Sequence, residues 1–234
     1  MIELVFTGIA QRLALQFRFD EQSCVQPTNE RASMSECPFG PSMQKYWDRL
    51  SPQEREMKLD REALYSLIIQ PAALQTAART PGEHVIDAFC GAGGSAIGFA
   101  RSGKRVTAIE LNRERLEMAR YNAELFGVAH RITFIEGDSL VILPQLTDGT
   151  AFLAPPWGGP EYTKRPLFTL ECFNPHGYEL LRLALAVSKT VVMQLPRNFD
   201  LNEFKGLRAD LSVFEDRFNG ELLSYTATVS SVAD

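Results

Sequence analysis

The sequence is poor in the residues that would tie it to a metal, a disulfide framework or a membrane. Among 234 residues there are four cysteines and three histidines. Cys24, Cys37, Cys90 and Cys172 are widely scattered, with no Cys-x-x-Cys pair to clamp zinc and no dense set of bridges. His84, His130 and His176 are equally dispersed, so no metal is expected. No run reaches the roughly 18 to 20 unbroken apolar residues of a membrane span. The start of the chain lacks a basic stretch, since Glu3 is its first charge, and so does not read as a secretory signal. A soluble intracellular protein that needs neither membrane nor metal is the expectation. Positive charge is also short: 24 Lys and Arg against 29 Asp and Glu give a net charge of -5. That excludes a broad nonspecific grip on long nucleic acid, which requires an extended basic surface. It leaves room for a short anionic ligand held by a few local cations.

The 45% of apolar residues suffices for one domain with a sizeable core. Residues 1–43 mix a short β-like run at 2–6 with the turn cluster Cys37-Pro38-Phe39-Gly40-Pro41. From Gln44 to Arg79 the apolar residues recur at helical intervals, interrupted at Pro52 and Pro71, which predicts a small helical lobe. The expected division is therefore 1–80 for an extension and accessory lobe and 81–234 for the main domain. Beyond Pro81-Gly82, apolar runs at 85–89, 105–110, 132–136, 150–153 and 190–194 predict strands. Between them, 95–101, 112–126 and 174–187 predict helices, with Asn112 and Asn174 as N-caps and Gly103 and Gly127 as C-terminal stops. The alternation implies a mostly parallel, doubly wound α/β sheet. The tail departs from it, because 211–218 and 222–229 flank Asn219-Gly220, a strong hairpin signal.

Ligands of open α/β sheets gather at the carboxyl ends of the strands, and four of those ends carry suggestive residues. Asp87 leads into Cys90-Gly91-Ala92-Gly93-Gly94, a turn that either cradles a ligand or is simply tight. Glu110 lies 23 residues after Asp87, where a carboxylate can accept both hydroxyls of a ribose or sit in solvent. Asp138 follows the third strand and can accept from an exocyclic amine or close a structural turn. The fourth strand runs into Ala154-Pro155-Pro156-Trp157-Gly158-Gly159-Pro160. A tryptophan between prolines and glycines has little regular structure to bury it, so its face is a platform for a planar ligand. An aryl amine is a poor nucleophile, and carbonyls fixed by proline at Ala154 and Pro155 can turn its lone pair toward a donor. Trp157, Pro155 and Ala154 are the candidate catalytic set.

Taken together, Lys45-Tyr46-Trp47, Lys58-Leu59-Asp60-Arg61-Glu62, Asp87-Ala88-Phe89-Cys90-Gly91, Ala119-Arg120-x-Asn122-Ala123-Glu124, Pro155-Pro156-Trp157-Gly158-Gly159-Pro160-x-Tyr162 and Leu195-Pro196-Arg197-Asn198 resemble the trimethylguanosine synthases. The resemblance covers roughly residues 44–230. It implies a class I, Rossmann-like methyltransferase fold with seven strands, a C-terminal antiparallel hairpin and a small N-terminal helical lobe. It also implies methyl transfer from S-adenosylmethionine to the N2 amine of 7-methylguanosine in RNA 5′ caps, in the nucleus or cytoplasm; a monomer is one expectation that the sequence itself leaves open. The implied cofactor residues are Asp87, Phe89, Gly91, Glu110, Leu111, Asp138, Ser139 and Ala154. The implied substrate residues are Lys45, Ser66, Asn122, Pro156, Trp157, Tyr162 and Arg197, with Lys45 and Arg197 toward the cap phosphates. Beside these stand plainer readings: Lys45 as a solvated charge, Ser66 bonding its own helix, Trp47 as lobe packing. Two departures stand out. Ala154 replaces the family's serine, and Glu221 and Leu223 stand where lysines are usual. Two alternatives remain open, an N-methyltransferase acting on internal guanine or adenine of RNA or DNA, and a noncatalytic cap-binding module.

Overall fold

The computed structural model describes residues 35–207 and 209–231. The expected strand at 2–6 and Cys24 lie outside the described residues. Five strands run parallel: β1 (His84–Asp87), β2 (Arg105–Glu110), β3 (Ile132–Glu136), β4 (Thr150–Leu153) and β5 (Thr190–Pro196). Two more, β6 (Ala209–Phe218) and β7 (Glu221–Ser231), form an antiparallel hairpin whose β7 pairs antiparallel with β5. The order across the sheet is β3-β2-β1-β4-β5-β7-β6. The inner parallel strands β1, β4 and β5 are covered on both faces, which is why Val85, Ile86, Ala151, Phe152, Leu153 and Val191 are all buried and the runs read as continuous rather than alternating, whereas edge strand β3 leaves Thr133 and Glu136 exposed. At the hairpin tip Asn219 (φ 49°) and Gly220 (φ 81°) both take the left-handed conformation, the requirement of a two-residue turn that matches strand twist.

Seven helices are described: α1 (Gln44–Trp47), α2 (Arg61–Ser66), α3 (Gln70–Arg79), α4 (Gly94–Arg101), α5 (Arg113–Leu125), α6 (Ser139–Ile142) and α7 (Gly177–Val187). Asn112 caps α5 as expected, its side chain accepting from the Arg115 N–H. Asn174 does not cap α7. That helix begins at Gly177, with His176 at the cap position and no side-chain cap bond. Gly177 sits hard against Leu170, where an added Cβ would stand 2.7 Å from the carbonyl oxygen, and this close approach sets the start of the helix. Pro71 falls in the first turn of α3, where its missing N–H costs nothing, so it opens a helix instead of breaking one.

Two hydrophobic clusters flank the sheet. One includes Ile86, Ile109, Leu153, Leu180 and Met193. The other holds Val85, Ile97, Phe99, Leu116 and Phe152 and continues without a break into Met43, Trp47, Leu64 and Ile69 of the helical lobe. Polar struts reinforce the junction. Arg115 donates to Asp60 at 2.9 Å and also to Glu62, and although burial alone would lower the pKa of Arg115, these two carboxylates raise it. Glu54, fully buried, accepts from the Gln70 N–H at 2.7 Å, and the Gln70 side chain donates to the Gly94 carbonyl. Asn122, also fully buried, accepts from the Lys58 N–H and donates to the carbonyls of Lys58 and Ala92. The lobe is thereby fastened to the glycine-rich turn, and forms a wall above the carboxyl ends of the strands. Among the described residues no helix is long and apolar enough to cross a membrane, and no His, Cys, Asp or Glu cluster could hold a metal ion.

Candidate functional site

Parallel pairing aligns the strand ends. Asp87 lies in register with Ala108 and Phe152, and Glu110 with Glu136, so the residues that follow β1, β2, β3 and β4 share one rim. Glu110 is held there by two backbone amides: its Oε2 accepts from the Gly91 N–H at 3.0 Å and its Oε1 from the Asn112 N–H at 2.8 Å. Each oxygen keeps a lone pair for a further donor. Gly91 (φ 53°) has open space where a Cβ would be, so a ligand can approach its backbone. Gly93 (φ 96°) differs, since a Cβ there would press on Ala119 at 3.2 Å. Leu111 is 71% exposed beside Glu110, and an apolar side chain left so open at a rim invites cover by a flat ligand. Asp138 is exposed and caps α6 by accepting from the Leu140 N–H, while Ser139 is buried with its hydroxyl on the Ala88 carbonyl. Phe89 is half-buried. This donor-and-acceptor set fits a nucleoside with a free ribose.

Asp87 lies beneath this rim. It is fully buried, accepting from the Ser95 hydroxyl at 2.5 Å and weakly from the Phe89 N–H at 3.4 Å. Burial pushes its carboxyl up to about 7. Burial also drives the neighbouring Cys90 thiol well up, so it is an inert packing group and not a nucleophile.

Across the rim, β4 delivers Ala154, half-buried, and Pro155, buried, followed by exposed Pro156 and half-buried Trp157. Trp157 meets Tyr162 edge to face, with ring centroids 5.3 Å apart, and Tyr162 in turn meets buried Phe168 at 6.4 Å. This aromatic ladder fixes the plane of the indole. Asn198 supports it from below by donating to the carbonyls of Tyr162 and Arg165. The lobe closes the other side: α2 packs on the segment Gly159–Lys164, and a Cβ at Gly159 would stand 3.2 Å from the Tyr65 hydroxyl. Burial pushes that phenol up to about 12, so it remains a hydroxyl donor. Tyr46 lies 6.3 Å from Tyr65, with the Lys45 ammonium 4.8 Å over its ring.

The structure thus brings together Trp157, Tyr162, Pro156 and Arg197 on one side and Gly91, Glu110, Leu111 and Asp138 on the other. It places Asn122 inside the junction of lobe and glycine turn, with its hydrogen-bonding groups occupied there, and Ser66 on the surface donating to the Glu62 carbonyl of its own helix. Sequence reasoning did not single out Arg49 or Tyr65. Arg49 donates from Nη2 to both oxygens of Glu221 at 3.0 Å, and Arg197 approaches the same carboxylate at 3.7 Å. Tyr46-x-x-Arg49 on one short turn was the only local signal.

Comparison with known proteins accords with this geometry. Residues 82–229 match the family described as RNA cap guanine-N2 methyltransferase. The trimethylguanosine synthase of Schizosaccharomyces pombe is 33% identical over 183 residues, which is 71% of this chain and 76% of that protein. The trimethylguanosine synthase of Saccharomyces cerevisiae is 36% identical over 128 residues, 52% of this chain and 41% of that protein. Among solved structures, a putative methyltransferase from Porphyromonas gingivalis superposes with a TM-score of 0.55 at 18% identity, over 68% of this chain and 40% of that one. TrmN from Thermus thermophilus gives 0.51 at 23%, over 71% and 50%. These two likenesses are of fold. With its rim of strand-end acids, its mounted tryptophan and its matching sequence over 82–229, the chain belongs to the RNA cap guanine-N2 methyltransferase family.

Proposed function

We propose that this protein methylates the exocyclic N2 amine of the 7-methylguanosine cap of RNA, within the nucleus or cytoplasm, using S-adenosylmethionine. The observation that carries the reading is the Trp157–Tyr162 pair at the end of β4, mounted beside a rim whose Glu110 carboxylate is preset by two backbone amides. When bound, S-adenosylmethionine supplies an electrophilic methyl group on a sulfonium. Glu110 would accept from the ribose hydroxyls, Asp138 would accept from the adenine amine, Leu111 and Phe89 would offer apolar cover to the base, and Gly91 would leave room for close backbone approach. None of these roles needs a metal.

On the acceptor side the face of Trp157 holds the base. A 7-methylguanine ring is cationic, so a cation-π attraction adds to stacking. The Ala154 and Pro155 carbonyls accept from the N2 hydrogens and turn the nitrogen lone pair out of conjugation and toward the donor side. With no serine hydroxyl at position 154, that orientation falls to the backbone alone. Overall, one N2–H becomes N2–CH3 as the S–CH3 bond breaks with its electron pair left on sulfur, the sulfonium becomes the neutral thioether of S-adenosylhomocysteine, and a proton leaves to water in the cleft. Proximity and alignment supply most of the acceleration, because a product ammonium sheds its proton without a dedicated base. Lys45 and Arg197 lie on the lobe and β5 sides to receive cap phosphates.

The test is mass spectrometry of 7-methylguanosine triphosphate after incubation with enzyme and S-adenosylmethionine, with unmethylated GTP and uncapped RNA alongside. The expected result is addition of one or two methyl groups to the 7-methylated acceptor only. Transfer to uncapped RNA in preference, or cap binding without turnover, would overturn the reading.

A further inference from the structure

The carboxylate of Glu221 sits where an anionic ligand would be expected. Its place is well determined, since it opens β7 directly after the Asn219-Gly220 turn, pairs in the ladder with Phe218, and follows a carbonyl held by Arg217 at 2.9 Å. Two guanidinium groups from distant parts of the chain converge on it. Arg49 comes from the lobe, with Nη2 3.0 Å from both oxygens, and Arg197 follows β5, with Nη1 3.7 Å from Oε1. Arg49, Arg197 and Glu221 also all act electrostatically on the Tyr162 phenol, which places the cluster one aromatic ring from Trp157. Two converging guanidiniums beside a base-stacking platform form an anion site, since each offers a fork of N–H donors suited to phosphate.

We propose that Glu221 is an internal occupant of this phosphate site and a specificity residue of the enzyme: a ligand phosphate binds by displacing its carboxylate from Arg49 and Arg197. The inference rests on the cap-methylation reading. The three side chains are 30%, 47% and 50% exposed for Arg49, Arg197 and Glu221, so the ion pairs are solvated, weak and exchangeable. While the carboxylate is in place it offsets one of the two positive charges, occupies donors that a phosphate would use, and repels an incoming phosphate. A nucleoside without phosphates is indifferent to it. Glu221 therefore raises the KM of phosphorylated acceptors and leaves the methyl-transfer step alone.

The experiment compares wild type, Glu221→Gln and Glu215→Gln. Glu215 lies on the same hairpin and pairs with Arg217 at 2.7 Å, so its variant removes an equal charge without touching Arg49 or Arg197. Steady-state kinetics are measured with 7-methylguanosine triphosphate and with 7-methylguanosine nucleoside, and calorimetry measures binding of inorganic tripolyphosphate. Glu221→Gln should lower the KM for the triphosphate and the Kd for tripolyphosphate by about 3- to 30-fold, the worth of two solvated ion pairs. Its kcat and its KM for the nucleoside should not move, and Glu215→Gln should match wild type. No gain in Glu221→Gln, an equal gain in Glu215→Gln, or an equal shift for the nucleoside would overturn the proposal while wild-type turnover of the triphosphate leaves the cap reading standing. Absence of turnover in all three proteins would overturn both.

Discussion

Trp157 and Asp87 do opposite things at the same rim of the sheet, each a few residues from a glycine-bearing turn. Trp157 is kept half-open by Tyr162 and the flanking turns, and its whole value lies in a free face. Trp157→Ala removes that face, and base-aromatic stacking of about 1 to 3 kcal/mol corresponds to about a 5- to 150-fold loss in kcat/KM for capped substrate. Calorimetry should find S-adenosylmethionine binding preserved, because Glu110 and Asp138 belong to other strands; a fully active variant would remove Trp157 from the site. Asp87 is buried completely, and burial raises its carboxyl from 3.8 to about 7. A folded pKa above the unfolded one means the native state holds the proton more tightly. The stability from that proton is complete below about pH 4 and is lost as pH rises through the window to about 7. Asp87→Asn keeps a neutral group there, so the variant should gain on wild type across this window, by at most about 4 kcal/mol, and hold that gain above it. Urea unfolding of both proteins from pH 4 to 8 checks this, and a difference independent of pH would show that Asp87 carries no such penalty.

At the scale of elements, what sequence reveals depends on how local the cause is. β2, β3 and β4 begin and end where the apolar runs predicted; β2 and β4 are inner strands covered on both faces and stop where the chain reaches solvent, while edge strand β3 was marked by its apolar Ile132, Phe134 and Ile135. The hairpin turn was equally legible, since only residues tolerant of positive φ fit both its central positions. Four-residue α6 was not, because four residues show no helical period. The lobe fragmented into short helices and 3-10 turns for the same reason, its apolar residues serving contacts with α4 and α5 and not one continuous face. Asn174 failed as a cap because tertiary packing at Gly177 outweighed local preference. The rim residues Glu110, Asp138 and Trp157 were readable because a parallel sheet places successive strand ends side by side. The meeting of Arg49 with Glu221 was not, as 172 positions separate them and nothing local to either residue records the other.

For the whole molecule, the question is whether the helical lobe is an appendage or part of one folding unit. Trp47, Leu64 and Ile69 of the lobe share a buried cluster with Val85, Phe99 and Phe152 of the sheet layer. Arg115, Glu54, Gln70 and Asn122 add polar ties whose loss would strand buried groups, at about 1 to 3 kcal/mol each. The cleft needs both parts, since α2 backs the turn that follows Trp157 while β2 and β3 carry the acids. A lobe so joined should unfold with the sheet and not ahead of it. The chain has two tryptophans, Trp47 buried in the lobe and Trp157 at the cleft, which makes the point measurable. In Trp157→Phe, fluorescence reports Trp47 alone, hence the lobe, whereas far-ultraviolet circular dichroism reports the sheet and its helices. The two urea transitions should coincide in midpoint and steepness, as two-state unfolding demands. An earlier Trp47 transition would instead make the lobe a separately melting cover over the strand ends.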